Sequence, residues 1–117
     1  MGSPPLPWRS FDSDQVTALG VQAAAGIRIE ERTCPACGKA AIRSYSHPSE
    51  RATGSAVVIS YVWCANCQHY AGSTGPRVPG ERLTDPLTRQ DHERLDNNLR
   101  ALLNHLDHLW DTGLLPP

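Results

Sequence analysis

The plainest periodicity lies at the end of the chain. Leu95, Leu99, Leu102, Leu103, Leu106, Leu109 and Trp110 fall at steps of 4, 3, 1, 3, 3 and 1, one apolar stripe at the helical repeat. Thr88 can cap its start, and Asp91 and Glu93 suit the positive N-terminal end. "TGLLPP" then supplies a glycine stop and closing prolines. The pattern predicts a helix over residues 89–112, roughly 36 Å long. That exceeds the expected width of the rest, so the stripe permits a helix-mediated dimer as readily as an intramolecular core.

Upstream the period shortens to two. "AVVISYVW", Ala56 to Trp63, is β-branched and aromatic throughout and predicts the strongest strand. "GIRIEERT" alternates Ile27, Ile29 and Glu31 against Arg28, Glu30 and Arg32, the pattern of a half-buried strand. "AAIRSYSH" predicts another strand, "QHYAGS" a fourth, and "PSERATGS" a loop of turn formers between them. From Ser13, "SDQVTALGVQAAAG" predicts a short helix capped by Ser13 and closed by Gly26, with Val16, Leu19 and Ala23 on one face. Gly20 counts against it, and an irregular apolar segment is the alternative. The Pro-rich residues 1–12 are expected to be flexible, with Trp8 and Phe11 as anchors to the body. Residues 13–117 are expected to form a single domain.

Composition narrows this further. A chain of 117 residues with 39% hydrophobic and 6% aromatic residues builds a modest core, so a covalent or metal staple would add usefully to it. The net charge of -1 provides no global attraction to nucleic acid or to an acidic membrane. Residues 27–82 carry a balance of +3 and residues 83–117 one of -3, without any tail-like charge run. No stretch has the apolar core of a secretion signal or the length to span a bilayer, so the expected location is the cytoplasm, where thiols stay reduced. Ten Arg against one Lys, with the Ala and Pro content, suggests a GC-rich bacterial genome.

Against that background the cysteines stand out. All four occur as two Cys-x-x-Cys pairs, Cys34 with Cys37 and Cys64 with Cys67, separated by 26 residues. Two such pairs around a hairpin-sized insert match a four-sulfur zinc site. Soft thiolates suit Zn²⁺, and four of them close its tetrahedron. Each pair falls in a tight turn whose backbone N–H groups can point at the sulfurs. Gly38 fits the positive φ that such a turn needs, whereas the second pair has Gln68 there. Iron also accepts four thiolates and is the rival metal. A redox couple and disulfides rank below it.

At "CPACGKA" and "WCANC" the chain resembles the zinc-ribbon family. The resemblance covers residues 27–73 and implies two knuckles on β-hairpins clamping one structural zinc. With the helix at 89–112, the fold expected is α+β: a small antiparallel zinc-ribbon sheet, a long C-terminal amphipathic helix and a short N-terminal helix.

Four protein ligands leave no position for water, so the metal is expected to hold the fold rather than catalyse. No Gly-rich phosphate loop is present, and every cysteine is already used, so the chain is expected not to be an enzyme. His69 is expected to face solvent rather than compete as a ligand. His92, His105 and His108 are expected on the solvated face of the last helix. Arg43, His47 and Arg51, with Tyr45, Tyr61 and Trp63 nearby, make a candidate partner surface. Two functions are open. One is a protein-binding module: the layout and the ending "HLWDTGLLP" loosely resemble small bacterial immunity proteins of polymorphic toxin systems. That resemblance implies a toxin as partner and occlusion of its cleft as mechanism. The other is a nucleic-acid-binding or transcription-associated zinc ribbon that reads phosphates with Arg43 and Arg51.

Overall fold

In the computed structural model the described residues are 8–50, 56–76, 87–95 and 98–115. The protein is α+β. In chain order the elements are β1 (Arg9–Ser10), α1 (Ser13–Ala24), a 3-10 turn (Ile29–Glu31), β2 (Ile42–Glu50), β3 (Ala56–Cys64), β4 (His69–Pro76), α2 (Arg89–Leu95) and α3 (Leu99–Asp111). The strands form one sheet in the order β1-β4-β3-β2. The sheet is mixed rather than purely antiparallel, because β1 pairs parallel with β4 at Arg9↔His69 and Ser10↔Tyr70. On the other side of the sheet, Ala65 N–H donates to the Ala41 carbonyl and the Ser46 and Ser60 hydroxyls meet at 2.8 Å. These two contacts run in opposite senses along β2 and β3, as in a hairpin.

The chain divides into two compact units. The first gathers the described residues up to Ser44 together with Val62–Ala71. Its core is Phe11, Leu19, Cys34, Ile42 and Cys64, with Ile29, Cys37, Ala41, Val62, Cys67 and Ala71 packed against them. The second takes Tyr45–Tyr61 and the described residues from Gly72 onward. Its buried residues are Tyr45, Leu87, Leu95, Leu103, Leu106, Leu109 and Leu115. In this unit the Tyr61 ring lies across Gly72, where a Cβ would stand 3.2 Å from Tyr61 Cε1.

α1 begins one residue earlier than the capping pattern predicts. Asp12, not Ser13, is the N-cap, and it forms a reciprocal capping box with Gln15 at 2.8 and 2.9 Å. The less exposed face runs through Gln15, Ala18, Leu19 and Gln22, not Val16 and Ala23. Gln22 explains the shift: its amide closes two 2.8 Å hydrogen bonds with the backbone of Thr33, a job an apolar stripe does not reveal. Both α1 and α3 end in Schellman turns, at Gly26 and Gly113, each with positive φ.

Three predicted elements differ from the structure. The loop expected from Pro48 begins later, because β2 runs on to Glu50. Residues 27–32 do not form a strand. They turn through the short 3-10 helix, with Arg28 paired to Glu30 and Glu31 and Arg32 Nε bonded to the Ile27 carbonyl. The alternation still places Ile29 against the core, but Thr33 N–H is taken by Gln22 and Cys34 N–H by Lys39. The single helix over 89–112 is two helices. "DNN" at 96–98 is rich in cap formers and poor in helix propensity. Asn98 caps α3 by accepting from Ala101 N–H at 3.1 Å, and Thr88 and Asp91 cap α2 reciprocally. The restart breaks the stripe: Leu95, Leu103, Leu106 and Leu109 are buried, whereas Leu99 is exposed. Among the described residues, no helix is long and apolar enough to cross a membrane.

Candidate metal centre

Both Cys-x-x-Cys segments fold into the same turn. In the first, Cys34 N–H bonds the Lys39 carbonyl and Gly38 N–H returns to the Cys34 carbonyl at 2.8 Å. In the second, Gln68 N–H returns to the Cys64 carbonyl at 3.0 Å. The turn demands a left-handed residue at its end, supplied by Gly38 at φ +77° and by Gln68 at φ +59°. Gln68 thus keeps the geometry despite its side chain. It holds a left-handed backbone without glycine's freedom, and its Oε1 is buried with no hydrogen-bond partner among the described residues.

The turns aim backbone N–H groups at sulfur. Ala36 N–H lies 3.3 Å from Cys34 Sγ. Lys39 donates to Cys37, Asn66 and Cys67 to Cys64, and His69 to Cys67. Every sulfur therefore receives the N–H of the residue two positions on.

The four Sγ atoms lie within 4.8 Å of one another, the one such cluster of metal-ligating side chains among the described residues. Cys34 to Cys67 and Cys37 to Cys64 are each 3.6 Å across the two knuckles. A zinc–sulfur bond of about 2.3 Å gives a tetrahedral edge of about 3.8 Å. A disulfide would need about 2.05 Å. The donor set fits a tetrahedral metal ion, and four thiolates suit zinc.

The sulfurs ionise unequally. Burial works against a charge on Cys37, but the Asn66 side chain, the Lys39 N–H and the neighbouring Cys64 and Cys34 outweigh it, taking the thiol from 9.0 down to about 6. Burial pushes the Cys64 thiol up. It does the same to Cys67, where the adjacent Cys34 and Cys64 sulfurs add to the effect. So many sulfurs in one place resist shared ionisation unless a cation compensates them.

His69 is not the solvent-facing strand histidine expected. It is half-buried, its ring stacks on Phe11 with centroids 5.5 Å apart, and its Nδ1 lies 3.2 Å from Cys67 Sγ. It touches the cluster without belonging to it.

The remaining candidates separate. Arg43 and His47 both lie on β2, half-buried, whereas Arg51 is outside the described residues. His47 packs between Tyr45 and His92, with ring centroids 5.5 and 5.0 Å away. His92 and His105 are half-buried rather than solvated, and His105 Nε2 stands 3.9 Å from Asp91. His108 alone of the three is exposed. Tyr45 and Trp63 are buried, so neither ring offers a face to a ligand. Comparison of the chain with protein families, curated proteins and solved structures gives no match.

Proposed function

We propose that this chain is a non-enzymatic protein-binding module whose fold is held by one structural zinc. The observation that carries the reading is the four-sulfur cluster: two knuckles bring four cysteines within 4.8 Å. A tetrahedral ion held by all of them has no position left for a substrate or an activated water. Function then falls to the surfaces that the metal centre positions.

A protein partner fits those surfaces better than a nucleic acid. Arg28 is paired with Glu30 and Glu31, Arg89 with Glu93 and Arg94 with Asp91, so these three exposed arginines are already opposed by carboxylates. Phosphate binding draws on unopposed positive charge, and single-strand binding draws on exposed rings. Burial of Tyr45 and Trp63 removes two of the rings that such a surface would use. Paired charges of both signs on each unit suit contact with a protein, and occlusion of a toxin's cleft is the mechanism implied by the resemblance to immunity proteins.

The test is co-expression of the chain with the product of the adjacent gene. The expected result is a stable complex, with relief of any growth arrest that the neighbour causes. A chain that leaves the neighbour's toxicity unchanged, yet shifts labelled DNA or RNA with a steep salt dependence, would replace this reading with the nucleic-acid one.

A further inference from the structure

The cluster has a neighbour that a four-cysteine count leaves out. His69 begins β4 two residues after Cys67, and its ring is held on one face by Phe11. Phe11 belongs to the same buried cluster as Cys34 and Cys64, and its N–H bonds the Tyr70 carbonyl at 2.8 Å. Arg9 N–H bonds the Gln68 carbonyl at 3.0 Å. The ring is thus fixed in place by the strand that pairs beside it, with one nitrogen aimed at one sulfur.

We infer that His69 is a positioning residue for the metal: it carries its proton on Nδ1 and donates it to the metal-bound Cys67 sulfur. The inference rests on the metal-holding role of the four cysteines. A metal-bound thiolate has no proton to give, so a 3.2 Å contact is a hydrogen bond only if the nitrogen supplies the proton. The other tautomer would set two lone pairs against each other. Direct ligation by His69 does not fit, because its nitrogens lie outside the group whose ligand atoms are mutually within 4.8 Å. Cys67 thereby receives two donors from one residue, the His69 backbone N–H and its ring. Outer partners of this kind orient a ligand and stabilise its charged form.

The arrangement also ties the metal to the N-terminal strand. The ring that contacts Cys67 is the ring on which Phe11 stacks, and Phe11 brings β1 into the ladder at Arg9↔His69. A bound metal would hold the Cys67 sulfur, and through the ring that Phe11 already orients it would be joined to β1.

Nitrogen NMR of the zinc-loaded wild-type chain reads the tautomer directly, and the expected result is a proton on Nδ1. His69→Phe keeps a ring on Phe11 and removes the donor. Its zinc affinity, measured by chelator competition, is expected to fall about 10- to 100-fold. In the cobalt-substituted variant the sulfur-to-cobalt charge-transfer bands are expected to move to lower energy, because an unbonded sulfur gives up its electrons more readily. A proton on Nε2, or an unmoved cobalt spectrum, overturns the inference, even if affinity falls. If His69→Phe does not fold, the wild-type tautomer decides alone. A wild-type chain that takes up neither zinc nor cobalt overturns the metal site and this inference together.

Discussion

Replacing Gln68 by glycine should make the zinc-loaded protein more stable. Gln68 holds φ at +59°, and a left-handed backbone costs a residue with a Cβ about 1–2 kcal/mol. Its buried Oε1 has no partner among the described residues, which adds about 1 kcal/mol at the low end of the range for an unsatisfied polar atom. Against these stand the greater freedom of glycine in the unfolded chain, about 0.5–1 kcal/mol. The side chain's half-buried methylenes are also lost, worth about 0.8 kcal/mol for each one fully buried. The net gain is about 1 kcal/mol, or a rise of about 4 °C in Tm for a chain of this size. The assay is denaturant unfolding followed by circular dichroism, with free zinc fixed in excess because bound ligand shifts apparent stability. Gln68→Ala separates the contributions, since it removes the amide but keeps the backbone strain. It should stay within about 0.5 kcal/mol of wild type. Gly38→Ala is the mirror: nothing lies within 4 Å of the added Cβ, so the loss is the left-handed backbone cost less the freedom that glycine has in the unfolded chain, about 0.5–1 kcal/mol. A Gln68→Gly variant less stable than wild type would show that the left-handed backbone and the buried amide carry no such cost.

Burial raises the Cys64 and Cys67 thiols, so both carry protons at neutral pH that a metal must displace. Apparent zinc affinity should therefore rise with pH, log K climbing by about two or more per pH unit between about pH 6 and 8. A flat profile in competition titrations would contradict this. Leu106→Ala, at a fully buried site in α3, should lose about 2–5 kcal/mol in denaturant unfolding. Asn98→Ala removes the cap on Ala101 N–H and should lower stability by about 1 kcal/mol, seen as a shifted denaturation midpoint with an unchanged slope.

What could be read from the residues followed the range of the interaction. The knuckles were legible because ligand spacing is local: Cys-x-x-Cys determines the turn, and the turn directs N–H groups to sulfur. β3 was legible from its β-branched run, and the capping of α2 from Thr88 and Asp91. The 27–32 segment was misread because alternation says which side chain faces inward, not whether a neighbouring strand exists to pair with. The long helix was misread because the leucine repeat carries across "DNN", whereas Asn98 satisfies the backbone better as a cap than as a helical interior residue. β1 was invisible, since a two-residue parallel pairing with β4 depends on Phe11 finding a distant core. The contact of His69 with Cys67 was hidden for the same reason. Its position two after a ligand predicts the backbone N–H to sulfur, but the ring's direction is set by Phe11, far away in sequence.

If the four cysteines hold one zinc, binding it is part of folding. The most direct test measures metal content and circular dichroism together on the same sample. The expected result is about one zinc per chain, loss of the sheet signal when a strong chelator removes it, and recovery when zinc is returned. A chain that keeps its native spectrum after the metal is gone, or that never takes zinc up, would contradict it.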